Sequence, residues 1–120
     1  MALVLVLEDD EQVRVLAEDF IRSLGHETLT AGNVKEAVAL LDGVTGLNVL
    51  FIDIRLADEM QGGLAVAKYA RELFPDIRVI YTTGEGVNDG TRAMFVDPFV
   101  FRGKPYTLDN LATVLSAALA

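Results

Sequence analysis

Along the chain, short apolar runs alternate with longer stretches in which apolar residues recur every three or four positions. The runs LVLVL (3–7), NVLFI (48–52) and IRVIY (77–81) are rich in Val, Ile and Leu and are bounded by charged or turn-prone residues. They are too short for free-standing helices and have the composition of strands buried on both faces. Between them, EQVRVLAEDFIRSLG (11–25), NVKEAVALLDG (33–43) and GLAVAKYARELFP (63–75) carry amphipathic helical spacing, with Gly25, Gly43 and Pro75 placed as stops. Further strands are predicted at ETLTA (27–31) and FVFRG (99–103), and a last helix over TLDNLATVLSAAL (107–119), capped by Thr107. The segment EGVNDGTRAMFVDP (85–98), with Gly86, Gly90 and Pro98, has room only for a short fourth helix. Strand followed by helix, five times over, predicts an α/β fold: a doubly wound five-stranded parallel sheet with helices on both faces. In such sheets ligands sit at the carboxyl ends of the strands, near the point where strand order reverses.

Composition narrows the chemistry. With 120 residues and 52% hydrophobic content the chain suits one domain over residues 1–120. There is no cysteine, which excludes disulfides and thiolate metal sites and leaves oxygen ligands or the lone His26 for any metal. His26 itself, just after a helix-ending glycine, is expected at the surface. The net charge of -8 disfavours direct binding to nucleic acid or an anionic membrane, since both need clustered Lys and Arg. No charged segment precedes the apolar start, and no apolar stretch approaches the roughly 20 residues of a membrane span, so a cytoplasmic location is expected.

The candidate chemistry lies at the strand ends. The first strand runs into four consecutive acids, Glu8, Asp9, Asp10 and Glu11; the third ends at Asp53, the fourth at Thr82 and Thr83, and the fifth at Lys104 followed by Pro105. Parallel strands bring all these ends to one edge. Asp10 and Glu11 fall where a helix cap and first turn belong, and the helix dipole alone accounts for them. It does not explain Asp53, an acid interrupting the apolar run VLFIDIRL, which is costly unless paired. Glu8, Asp9 and Asp53 together offer hard oxygen ligands suited to Mg²⁺, which would relieve their mutual repulsion. Lys104 can neutralise such a cluster and hold a phosphoryl oxygen as a point charge; its plainer reading is an edge residue before a chain reversal. Thr83 in turn has the plain reading of a strand-end residue bonding local backbone.

This constellation, Glu8 and Asp9 in VLEDDEQVR, Asp53 in VLFIDIRL, Thr83 in YTTGEG and Lys104 with Pro105 in FVFRGKPY, resembles the receiver domain of two-component response regulators, in particular single-domain chemotaxis-type regulators, over the whole chain. The resemblance implies a flavodoxin-like receiver fold with strand order 2-1-3-4-5. It implies a phosphorylation-dependent switch in which Asp53 accepts a phosphoryl group from a sensor histidine kinase or a histidine phosphotransfer protein and passes the signal to a downstream protein target. It assigns Mg²⁺ as cofactor, held by Asp9 directly, by Glu8 through water, by Asp53 and by the backbone carbonyl of Arg55. Lys104 and the Thr83 hydroxyl would contact the phosphoryl group, and Phe101 would turn inward when Thr83 moves, unless it is an ordinary core ring.

Arg55 and Glu85 stand two residues beyond Asp53 and Thr83, where the family modulates phosphoryl lifetime; they form an ion pair or remain independent charges. Ala57 replaces the family's usual proline, and LADEMQGG is longer than the usual loop. The aromatic residues Phe95, Phe99, Phe101 and Tyr106 lie where the family docks partners or dimerises, so a homodimer through the last helix and strand pairs is one option. Such a protein catalyses its own phosphorylation and dephosphorylation and is otherwise no enzyme. The rival readings are a docking module that takes no phosphate, and a Mg²⁺-dependent phosphohydrolase, which would want a second acid where Arg55 stands.

Overall fold

The computed structural model describes residues 2–53, 60–83 and 99–103, together with residues 112, 113, 115, 116 and 119; for 60–62, 83 and 99–103 it describes the backbone alone. In chain order the elements are β1 (Leu3–Leu7), α1 (Glu11–Ser23), β2 (Glu27–Ala31), α2 (Val34–Gly43), β3 (Val49–Asp53), α3 (Met60–Leu73), β4 (Arg78–Thr83) and β5 (Phe99–Gly103). Ala112, Thr113, Leu115, Ser116 and Leu119 are helical, in keeping with the expected last helix. The fourth helix and the Thr107 cap lie outside the described residues.

All strands are parallel and the order is β2-β1-β3-β4-β5. The sheet is the doubly wound one that the alternation of runs and periodic stretches predicts. Side chains alternate across it, because successive residues of a strand face opposite sides. Leu5, Leu7, Leu50, Ile52, Val79 and Tyr81 turn to one face, where they bury Ala37 and Leu41 of α2 and Leu64, Ala67 and Ala70 of α3. Val4, Val6, Val49, Phe51 and Ile80 turn to the other, against Ala17 and Ile21 of α1 and Leu115. β1 and β3 are central, so β1 is wholly apolar and β3 is apolar until its last residue, Asp53, whereas β2, at the edge, tolerates Glu27, Thr28 and Thr30. Each large aliphatic side chain buried this way stabilises the fold by roughly 1.5–3 kcal/mol, so the two clusters dominate its energetics.

Caps set the helix ends. The Asp10 side chain accepts hydrogen bonds from the N–H groups of Gln12 and Val13 at the start of α1, and Asn33 does the same for Glu36 in α2. α1 closes on Gly25 (φ 94°), whose N–H donates to Arg22 O while His26 N–H donates to Ile21 O, a paired closure that requires a left-handed residue at position 25. His26 is not simply at the surface: it is half-buried, and its Nδ1 accepts from the Ala2 N–H at 3.1 Å, while Ala2 O accepts from Glu27 N–H. The start of β1 is thus held by the residue that follows the α1 closure.

Candidate functional site

The site is built at the carboxyl edge of the central strands. Leu7 of β1 pairs with Ile52 of β3, so Glu8 and Asp53, one step further on, emerge side by side. Asp53 in turn is in register with Thr82 of β4. Glu8 continues the parity of Val4 and Val6, and Asp53 that of Val49 and Phe51, so both carboxylates belong to the α1 side of the sheet. The chain leaves the strand at Glu8 and bends at Asp9, which lets the third carboxylate join the other two. One carboxylate oxygen from each of Glu8, Asp9 and Asp53 lies within 4.8 Å of the others. Glu8 is 1% and Asp53 4% exposed, whereas Asp9 faces solvent.

Two buried carboxylates beside a third repel one another and lose hydration, an arrangement that proteins retain where a cation or a charged ligand relieves it. The donor set fits Mg²⁺: it is all oxygen, it gathers three carboxylates within 4.8 Å, and it is open to water at Asp9.

The Glu8 peptide unit is held on every side. Its N–H donates to Ala31 O at 3.1 Å, its carbonyl accepts from Arg14 Nη1 at 3.0 Å, and its side-chain Oε1 accepts from the Asp10 N–H at 3.2 Å. Asp10 N–H is thereby used by the site, while the Asp10 side chain caps α1, in line with its expected role. Arg14 escapes notice in the sequence as one more charge on an amphipathic helix. The available signal is its place one turn into α1, four residues after Asp10, from which a side chain leans back toward the helix N-terminus.

The other expected residues fall as follows. The Thr82 hydroxyl is buried and donates to Ile52 O at 3.4 Å, which makes it part of the strand framework. Thr83 is the last residue of β4 and is in register with Gly103 of β5, directly before Lys104. Phe101 is in β5, in register with Tyr81. Arg55, Ala57, Glu85, Lys104 and Pro105 lie outside the described residues. Among the described residues, no helix is long and apolar enough to cross a membrane.

The sequence matches the family described as "Response regulator receiver domain" over residues 4–116. Among curated proteins it is 27% identical over 119 residues to the DNA-binding transcriptional regulator NtrC of Azospirillum brasilense, covering 98% of this chain and 24% of that protein. It is 28% identical over 119 residues to the sensor kinase CckA of Brucella abortus, covering 98% of this chain and 12% of that protein. The chain therefore spans a quarter or less of these relatives. Among solved structures, a response regulator receiver protein from Sinorhizobium medicae has a TM-score of 0.87 at 22% identity, covering 98% of this chain and 94% of that one, a likeness of fold. With the family's pattern running through nearly all of its residues, on the parallel sheet and strand order expected of it, the chain belongs to the response regulator receiver domains, the phosphoacceptor signalling modules of two-component systems.

Proposed function

We propose that Asp53 is the phosphoacceptor of a phosphorelay switch and that Glu8, Asp9 and Asp53 hold Mg²⁺ beside it. The observation that carries this reading is the convergence of three carboxylates from two adjacent strand tips within 4.8 Å. An Asp53 oxygen attacks the phosphorus of a phosphohistidine on a sensor histidine kinase or phosphotransfer protein. The O–P bond forms, the P–N bond breaks, and its electron pair returns to the imidazole. Mg²⁺, when bound, supplies the positive charge that offsets the carboxylates and the incoming phosphoryl oxygens.

The chain's own residues do the rest. The buried Asp53 side chain is held at a fixed position by β3 packing, so the attack needs little reorganisation. The backbone register of Thr83 with Gly103, the residue before Lys104 in sequence, supports the roles proposed for these two residues, which are to hold phosphoryl oxygens, Lys104 as a cation and Thr83 as a hydroxyl donor. The Arg55 carbonyl completes the metal ligands, Arg55 and Glu85 tune the phosphoryl lifetime, and Phe101 carries the change to the surface read by a protein target. The kinase CckA and the regulator NtrC among the relatives are consistent with a donor and an output of this kind.

The test is direct. Incubation with acetyl phosphate and Mg²⁺ should add one phosphoryl group to the intact mass, and Asp53→Asn should abolish it. Continuous phosphate release from varied esters would favour a hydrolase instead, and no uptake a docking module.

A further inference from the structure

We propose that Arg14 is a positioning residue for the acidic site, and that Gly32 is the glycine that leaves room for it; this rests on the Mg²⁺ reading above. Neighbouring residues of a strand point to opposite faces, yet Glu8 and Asp9 present their carboxylates to one point together with Asp53. That is achieved by turning the chain at the Glu8–Asp9 peptide, and the turned peptide has to be held. Its preceding N–H is fixed by Ala31 O of β2, and the Glu8 side chain by the Asp10 N–H. The remaining group, the Glu8 carbonyl, accepts from Arg14 Nη1 at 3.0 Å. A charged guanidinium N–H fixes the direction of that carbonyl, whereas solvent would satisfy it without direction.

The guanidinium comes from α1 and reaches the connection between β2 and α2. A β-carbon at Gly32 would lie 2.8 Å from Arg14 Nη1 and 3.3 Å from Glu36 Oε1. The Gly32 N–H is itself tied to Glu36 Oε1 at 2.7 Å, so this backbone does not yield easily. Alanine at position 32 would therefore displace the Arg14 tip, although it touches none of the acids. The Arg14 tip thus bonds the acids' backbone while lying close against the β2–α2 connection at Gly32.

The experiment is a Mg²⁺ titration of the wild-type chain and of Arg14→Ala, Arg14→Lys and Gly32→Ala, followed by the amide NMR shifts of Asp9 and Asp53, with thermal unfolding measured alongside. Arg14→Ala and Gly32→Ala should weaken Mg²⁺ binding about tenfold, and Arg14→Lys, which retains a cationic donor, about threefold or less. The Asp9 and Asp10 amides should also shift in the two disruptive variants before Mg²⁺ is added. Unchanged Mg²⁺ affinity in both, with or without a lower unfolding temperature, would overturn the positioning role and leave the Mg²⁺ reading standing. A wild-type chain whose Asp9 and Asp53 amides ignore Mg²⁺ would overturn both. If Arg14→Ala does not fold, Gly32→Ala decides by the same titration, because it keeps the arginine and moves only its tip.

Discussion

Asp10 shows how one residue serves two neighbours without being chemically active. Its side chain accepts from Gln12 and Val13 N–H, and its own N–H donates to Glu8 Oε1. Replacing it by Ala removes the cap but keeps the backbone donor. Urea unfolding of Asp10→Ala should show a loss of about 1 kcal/mol, with phosphoryl uptake retained; loss of uptake with an unchanged unfolding midpoint would refute the division of labour. The same separation applies to the two threonines of β4. Thr82 is committed to Ile52 O inside the sheet, so Thr82→Val should leave phosphoryl uptake in place, whereas a defect confined to Thr83→Ala is expected if Thr83 is the phosphoryl contact.

At the scale of elements, closures and helix-to-helix links add to the stability that the two cores supply. The α1 closure needs a left-handed residue at position 25, so Gly25→Ala should destabilise the fold by about 1 kcal/mol or more, readable as a lower thermal midpoint. α2 and α3 are joined by a hydrogen bond from the Tyr69 hydroxyl to Asp42 Oδ1. That bond to a carboxylate holds the phenol protonated and raises the Tyr69 pKa above its ordinary value, with the negative charges of Asp42 and Glu72 acting in the same direction. Because the folded pKa is raised, the bond's contribution is fully present below the unfolded tyrosine value of about 10 and is lost as pH climbs through the folded value. A phenolate absorbance titration of the wild type and of Asp42→Asn should therefore show one phenol ionising at lower pH in the variant than in the wild type.

For the molecule as a whole, a chain of net charge -8 places three of its carboxylates together at one sheet edge. Folding brings that repulsion into being, and a divalent cation that binds only the folded arrangement stabilises it by mass action, by about 2.7 kcal/mol at a hundred times its dissociation constant. Mg²⁺ should raise the unfolding temperature well beyond what NaCl of equal ionic strength achieves, and Asp9→Asn should remove most of the difference. Equal shifts with both salts would mean general screening and would count against a specific site. The sheet supplies the rigidity that makes this arrangement reproducible: β1 and β3 are buried on both faces, so their tips do not drift.

The order of apolar runs and periodic stretches was enough to read the strands, the parallel sheet and the edge at which Glu8, Asp9 and Asp53 meet, because burial on two faces demands continuous Val, Ile and Leu and any acid among them stands out. The helix caps at Asp10 and the closure at Gly25 were equally local and equally legible. Element ends were less so: α3 begins at Met60, ahead of Gly62 and Gly63, because packing of Leu64, Ala67 and Ala70 outweighs the roughly 1 kcal/mol that each glycine costs a helix. What no periodicity reveals are contacts between residues far apart in the chain. His26 receiving Ala2, Tyr69 reaching Asp42, and Arg14 passing between the Glu8 carbonyl and Gly32 depend on how whole elements are laid against each other, and that placement exists only once the two cores have closed on the sheet.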